Sequence, residues 1–413
     1  MKQSELTRRL LSYVTMVEGM RIGIDARPLS KQRTGIGNYV QGLVELLPEV
    51  APQHDYFLYS NKEINSRFPE GRYRRRFDQQ FSWCPGAFWL LARGGRLARR
   101  DAVDVYWATQ AVLPTRMPAG ILKIVTVYDL VWLRCPETST SYNLLVQRMC
   151  ARKAIADADY IVVISRTTQD ELIERLGVPR EKTRLVYPGV ADSYKPQDQA
   201  KAAEYISRKY SVPPRYMATV GIVHPRKNQQ FLVKVLGILK NNGQLNCPLL
   251  VVGPIGWKNS PLFQEIQTAG LTESDIRFLG YIPDEDMPFF YGGAQVFLFP
   301  TLYEGFGLPP VEAMACGCPV IASDSPCMPE VLADAAILEP LENIERFTTS
   351  VLRVLADGRL REALRAKGIL RAQKFRYATS VKQLLEVFEG AGRTNVGITR
   401  LESARDFQCN MKW

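Results

Sequence analysis

The sequence predicts two α/β domains, each a parallel sheet covered by helices, with the two sheets facing across a cleft. Three observations carry this. Short β-branched runs alternate with segments of helical period along most of the chain, the pattern of repeated β–α–β units. The 413 residues exceed what one core organises, since domains run to roughly 100–200 residues. A polar, proline-bearing break, Asp192–Lys201 and again Ser211–Pro214, divides the alternation into two rounds.

In the first round 21–25 (RIGID), 56–60 (YFLYS), 104–108 (DVYWA), 122–129 (LKIVTVYD), 160–165 (YIVVIS) and 183–188 (TRLVYP) read as strands. Helices at about 37–48, 142–156 and 167–176 lie between them. In the second, 216–222, 248–253, 276–280, 296–300, 319–323 and 335–339 read as strands, and a helical tail runs through about 343–389. The domains are therefore 20–195 and 213–375, joined by a linker at 196–212 and followed by a C-terminal helix and tail at 376–413. Residues 1–19 read as an extension ahead of Met20-Arg-Ile-Gly-Ile-Asp25, and the last twenty as frayed. The short, interrupted apolar stretch near the start does not read as a signal peptide.

Composition excludes whole classes. A hydrophobic fraction of 46% with 23% charged residues is neither disordered nor a membrane bundle. No run approaches the roughly 18–20 apolar residues of a membrane span. Cys316-Gly-Cys318 is the one close cysteine pair, and with only His54 and His224 in the chain it lacks the ligands of a zinc site. The eight cysteines read as buried apolar groups of a reducing compartment, which places the protein in the cytoplasm. The net charge of +11 suits an anionic partner. Its densest cluster, residues 67–100, interleaves arginines with Phe81, Trp83, Phe88 and Trp89. Such a stretch is either an interfacial segment for an anionic membrane, at the inner face of the plasma membrane, or core with a solvated rim. Gly94-Gly95 weakens a continuous helix there. Nothing resembles a nucleic-acid-binding module.

Open parallel sheets bind ligands beyond the carboxyl ends of their strands, so the informative residues should follow strands. The strongest signal is the segment from Phe299 to Ser323, FPTLYEGFGLPPVEAMACGCPVIAS. A strand ends at Pro300, a loop follows, and a helix starts near Pro309, where a missing N–H costs nothing. Gly305 and Gly307 leave the loop backbone open, so its amides and the helix N-terminus can face an anion. Glu304 stands at the mouth of this nest. Glu312, about one turn into the helix, offers a two-oxygen acceptor to vicinal hydroxyls. Val220-Gly-Ile-Val-His-Pro-Arg226-Lys227-Asn228 likewise follows a strand and delivers two cations to the same crevice.

This E-x7-E stretch resembles the donor-site signature of the retaining glycosyltransferases of family 4, over about residues 20–390. The resemblance implies the GT-B fold of two Rossmann-like domains, with the acceptor on the N-terminal domain and a nucleotide sugar on the C-terminal one. It implies Glu304 against the donor sugar, the backbone of Phe306, Gly307 and Leu308 around sugar and diphosphate, Glu312 on the ribose and Tyr281 near the base. Lys227 and Arg226 look like the family's clamp on the diphosphate, although Arg226 also reads as structural. Gly35 and Gly37, in a loop containing Thr34-Gly-Ile-Gly37, resemble the glycine loop that approaches the diphosphate from the other side. Where many relatives carry a His-Asp pair, this chain has Tyr128-Asp129. Tyr128 is then a candidate hydrogen-bond partner for a sugar hydroxyl, and Asp129 is either catalytic or a buried structural carboxylate. His224 stands where related mannosyltransferases carry glutamate and reads as shaping its loop.

Asp284-Glu-Asp286 fits a D-x-D metal pattern, but its context reads as the acidic first turn of a helix, so no metal or cofactor is expected. The pattern is most similar to bacterial mannosyltransferases that use GDP-mannose in surface-polysaccharide assembly, acting on a glycan or polyprenyl-diphosphate-linked acceptor. UDP-glucose and dTDP-rhamnose users share much of it. A sugar-nucleotide epimerase, a phosphorylase holding pyridoxal phosphate and a basic non-catalytic binding protein are the competing classes.

Overall fold

A computed structural model describes residues 19–30, 35–64, 68, 71–138, 141–256 and 260–390. The readings placed on residues 1–18, on Thr34, on Arg67 and on the last twenty residues lie outside these.

The first half runs β1 (Arg21–Asp25), α1 (Gly35–Val50), β2 (Asp55–Ser60), β3 (Tyr73–Phe77), α2 (Gly86–Arg100), β4 (Val105–Ala108), β5 (Leu122–Val127), α3 (Ser141–Asp157), β6 (Tyr160–Val163), α4 (Arg166–Leu176) and β7 (Thr183–Leu185). The second runs α5 (Gln199–Tyr210), β8 (Met217–Val220), α6 (Gln229–Asn241), β9 (Leu249–Val252), α7 (Ser260–Thr268), β10 (Ile276–Gly280), α8 (Met287–Gly293), β11 (Val296–Phe299), α9 (Leu308–Ala315), β12 (Val320–Ser323), α10 (Met328–Leu332), β13 (Ile337–Glu339), α11 (Ile344–Ala356), α12 (Gly358–Ala372) and α13 (Tyr377–Gly390).

Among the described residues the strands form a seven-stranded sheet, β3-β2-β1-β4-β5-β6-β7, and a six-stranded one, β10-β9-β8-β11-β12-β13. Every pairing is parallel. The central strands β4, β9, β11 and β12 are buried along their whole length. Helices on both faces explain this, and explain why these strands read as unbroken apolar runs. The strand order reverses between β1 and β4 and again between β8 and β11. Those reversals open a crevice at the carboxyl ends, where a doubly wound sheet binds its ligand.

The chain passes between its halves twice. Helix α5, in the stretch read as linker, packs on α8. Its Tyr205, Lys209 and Tyr210 all bond the buried Asp286 carboxylate. Asp286 is thus bound by protein at the start of a helix, as a structural acid. At the other end α13 returns to the first half. The Tyr377 hydroxyl donates to the Asn38 carbonyl at 2.9 Å, and Phe388 packs on Trp107 at 5.9 Å between ring centroids. Gly42 of α1 makes room for this, because a Cβ there would lie 2.3 Å from the Tyr377 ring.

The basic stretch 67–100 holds one element that the sequence does not announce and one expectation that is corrected. Tyr73–Phe77, absent from the sequence reading, is an edge strand whose side chains are half-buried or exposed. Its three consecutive arginines offer no apolar alternation to read, and they guard an open edge against further pairing. Helix α2 is continuous through Gly94-Gly95, because those glycines let the 114–116 segment approach. A Cβ on Gly95 would meet the Thr115 carbonyl at 2.6 Å. Trp89 and Leu90 belong to the core, while Trp83 is 79% and Phe88 50% exposed. No described helix is long and apolar enough to cross a membrane.

Candidate active site

Because β8 and β11 lie side by side and parallel, the loops that leave them are neighbours. The loop after β8 turns at Pro225–Lys227, capped by His224, whose Nδ1 accepts from the Arg226 amide at 3.2 Å. Burial, Arg226 and Lys227 together push the His224 ring down to about 4, so it is neutral at physiological pH and suited to this acceptor role. The Leu302 amide donates to the Arg226 carbonyl at 2.9 Å, and the Ser323 hydroxyl to the Thr301 carbonyl at 2.6 Å. The first bond fixes the second loop against the first, and the second bond ties it to the end of β12. This second loop closes at Gly307, whose left-handed φ of +86° turns the chain into α9 at Leu308.

Three predicted residues meet in direct contact. Lys227 Nζ lies 2.5 Å and Arg226 Nη1 2.9 Å from the same Glu304 oxygen, Oε1. Lys227 also sits over the Phe299 ring, 5.0 Å from its centroid. Burial alone would raise the Glu304 carboxyl, but Lys227 and Arg226 overcome it and hold the group at about 2. Two cations share one carboxylate, with Asp129 the next acid in electrostatic reach of both, a setting in which a diphosphate can take the place of Glu304. Arg226 is pinned as well as charged, since it also donates to the Tyr303 carbonyl at 2.8 Å. Both of its sequence readings therefore have a physical basis.

The first half closes on this cluster through β5. Gly305 lies so near Tyr128 that a Cβ on it would come 1.8 Å from the Tyr128 carbonyl oxygen. The Tyr128 hydroxyl donates to the Thr109 carbonyl at 2.7 Å, so its role is to tie β5 to the end of β4. The sequence reading offers this hydroxyl to a sugar; in the structure its proton is committed to Thr109. Asp129 Oδ1 accepts from the Val131 amide at 3.2 Å, starting the single helical turn Val131–Arg134. Burial raises the Asp129 carboxyl, against the pull of Arg226. Capping and proximity to the cationic cluster therefore coexist in Asp129. Phe306 is anchored by its ring, 5.2 Å from Phe375 and 6.1 Å from Tyr187, leaving its backbone to shape the loop.

Glu312, on α9, and Tyr281 form a second pole around Asp284. Glu312 Oε2 accepts from the Tyr291 hydroxyl at 2.9 Å. Burial lifts the Glu312 carboxyl to about 7, with Asp284 adding and the Tyr291 bond subtracting. Tyr281 is exposed, and its hydroxyl lies 3.5 Å from Asp284 Oδ1. Gly35 and Gly37 open α1 instead of lying in a loop, which corrects the sequence reading. They do not join the Glu304 cluster directly. Their helix reaches it through Tyr39, packed edge-on at 5.6 Å against Tyr128. Among the described residues no group of three or more His, Cys, Asp or Glu is placed to hold a metal.

Sequence reasoning missed Tyr303, Glu171 and Glu330. Each is a polar residue inside an otherwise ordinary helix or loop, and its partner comes from the opposite domain. No local pattern marks such a residue.

Residues 33–194 match the family model described as Glycosyltransferase Family 4, and residues 204–371 the one described as Glycosyl transferases group 1. The O-antigen chain mannosyltransferase B of Escherichia coli is 26% identical over 383 residues, 90% of this chain and 100% of that protein. The serotype-specific mannosyltransferase WbdA of the same species is 27% identical over 238 residues, which are 56% of this chain and 29% of that longer protein. Among solved structures, a sucrose-phosphate synthase from Thermosynechococcus elongatus aligns with a TM-score of 0.70 at 19% identity, covering 91% of this chain and 100% of that one. WaaG, a glycosyltransferase involved in lipopolysaccharide biosynthesis, aligns at 0.67 and 14% identity, covering 89% and 99%. The two parallel-sheet domains are those of the GT-B fold.

Proposed function

The chain belongs to the family 4 and group 1 glycosyltransferases, and on that footing we propose that it is a retaining, metal-independent mannosyltransferase. Its donor is GDP-mannose and its acceptor a glycan or polyprenyl-diphosphate-linked oligosaccharide of surface polysaccharide. The observation that carries this reading is the cluster of Lys227 and Arg226 on Glu304, where two strand-end loops meet. Similarity to an O-antigen chain mannosyltransferase over the whole of that protein supports mannose.

Donor diphosphate takes the place of carboxylate on Lys227 and Arg226, freeing Glu304 for the sugar. The C1–O bond to the diphosphate breaks, the acceptor oxygen bonds C1 on the same face, and the acceptor proton passes to the departing diphosphate oxygen. The protein orients the partners and neutralises the charge that builds on the leaving group. With no metal in the scheme, that neutralisation falls to Lys227, Arg226 and the amides of the loop ending at Leu308.

A thermal-shift screen tests the donor. GDP-mannose at a hundred times its Kd should stabilise the protein by about 2.7 kcal/mol, with or without EDTA. A shift with UDP-glucose or dTDP-rhamnose alone would reassign the donor, and a shift abolished by EDTA would overturn metal independence.

Glu312 supplies a pH signature. As an ionised acceptor for ribose hydroxyls, with its carboxyl at about 7, it loses that role as pH falls. The free-enzyme parameter kcat/KM for the donor should drop below about pH 7, by tenfold per unit. Glu312→Gln should remove that acid limb; its persistence in the variant would dismiss Glu312 as the titrating group.

The exposed Trp83 and Phe88, set among the arginines of α2 and β3, are proposed to meet anionic lipid at the cytoplasmic membrane face. The protein should float with vesicles containing phosphatidylglycerol and release in high salt. Failure to float would rule this surface out.

A further inference from the structure

Helix α4 belongs to the first half, yet the second half grips it at two points that bracket the donor loop. The first grip is at its N-terminus, where the leading amides of any helix lack partners inside it. Ser165 caps one of them, accepting from the Thr168 amide at 3.0 Å. The two before it are satisfied from across the cleft. The Arg166 amide donates to Glu330 Oε1 at 2.7 Å and the Thr167 amide to Glu330 Oε2 at 3.0 Å. The Thr167 hydroxyl adds a third bond to Oε2 at 3.0 Å, and the Tyr187 hydroxyl a fourth to Oε1 at 2.8 Å. A carboxylate from α10 thus caps α4 in trans, on the positive end of its dipole.

The second grip is just over one turn further on. Glu171 Oε2 accepts from the Tyr303 hydroxyl at 2.5 Å, while Arg134 holds its Oε1 at 3.1 Å. The same Tyr303 hydroxyl accepts from the Leu130 amide at 3.1 Å. Tyr303 is buried, its carbonyl holds Arg226, and the next residue is Glu304. At the far end of the loop, Met328 of α10 packs against Gly307, two residues before Glu330 in the chain.

We propose that α4 is the lever through which closure of the two domains sets the donor loop, with Glu330, Tyr303 and Glu171 as positioning residues. The proposal rests on the reading of this cleft as the site of glycosyl transfer. Because one rigid helix carries both contact points, the grips form and break together. When they break, Tyr303 is free to carry Arg226 and Glu304 out of register, and a displacement near 1 Å costs up to about a hundredfold in rate.

Amide hydrogen exchange on the full-length protein reads this without relying on turnover. Tyr303→Phe should speed exchange at Arg166 and Thr167, which it does not touch, and Glu330→Ala should speed exchange at Leu130, each by about tenfold. In both variants kcat should fall about 10–100-fold. Glu330→Asp, which keeps the carboxylate, should recover part of kcat. Exchange that changes only at each variant's own contact, or an unchanged kcat despite accelerated exchange, overturns the proposal. If no nucleotide sugar binds the wild type, the transferase reading fails, and coupled exchange still establishes the two-point grip.

Discussion

Replacing Lys227 with alanine should lower kcat by about a thousandfold and leave the melting temperature within about 3 °C of wild type. The loss corresponds to about 4 kcal/mol of transition-state stabilisation, at about 1.4 kcal/mol per decade. Lys227 Nζ lies 2.5 Å from Glu304 in a site that excludes most water, so its charge acts at low effective dielectric on whatever anion replaces the carboxylate. Stability is spared for a specific reason. Arg226 remains 2.9 Å from Glu304, so the buried carboxylate keeps a counter-charge when the lysine goes.

Glu304→Ala reverses that balance. It leaves Arg226 and Lys227 facing each other, both largely buried, with no carboxylate between them. Breaking a buried ionic cluster by removing its shared partner costs about 3–5 kcal/mol. This variant should therefore lose turnover and melt early, and inorganic diphosphate should restore part of the lost stability by occupying the cations. The wild type has a matching acid signature. Glu304 is held at about 2 in the fold, so its contribution is complete above the ordinary glutamate range near 4.5 and is lost as pH falls towards about 2. Initial rates beside thermal melts separate the two variants. Equal melting of Lys227→Ala and Glu304→Ala would mean that the shared carboxylate does not govern the cluster.

Much of this was legible in the sequence, for an identifiable reason. Buried parallel strands are short β-branched runs, and the loops that leave them carry the residues facing the ligand. The strand ending at Phe299 and the cation pair Arg226-Lys227 could thus be placed in one crevice from local pattern alone. The edge strand Tyr73–Phe77 escapes such a reading because an edge needs charge, and three consecutive arginines leave no apolar alternation in it. Gly35 falls to a loop in the sequence reading because that reading starts the helix at about 37, whereas α1 begins at Gly35. Tyr128, Tyr303 and Glu330 were unreadable for a different reason. Their partners are Thr109, Glu171 and the α4 amides, at sequence separations of 19 for the first, 132 for the second and 163–164 for the last. Pairings that long depend on how the sheets come together.

Gly305→Ala should be the most damaging single-methyl change in the chain, lowering kcat/KM at least a hundredfold. The cause is tertiary contact. Gly305 does not adopt a left-handed backbone conformation, so an alanine is free of backbone strain there. Its Cβ, however, would lie 1.8 Å from the Tyr128 carbonyl oxygen, 2.9 Å from the carbonyl carbon and 3.1 Å from Asp129 Cβ. None of these is the end of a flexible side chain. Tyr128 follows β5, which is hydrogen-bonded on both edges to β4 and β6, so the neighbour cannot retreat. Either the donor loop or the whole domain must move. Both displace Glu304 from the opposing half, while the apolar cores beneath each sheet stay intact, so thermal stability should fall by no more than about 1–2 kcal/mol. Gly358→Ala, at the start of α12 with only Arg361 nearby at 3.7 Å, is the matched control and should keep full activity. Small-angle scattering of Gly305→Ala should show a larger radius of gyration than wild type if the domains are what yields. Wild-type turnover in this variant would mean that the two halves do not meet at Tyr128 and Gly305 during the reaction.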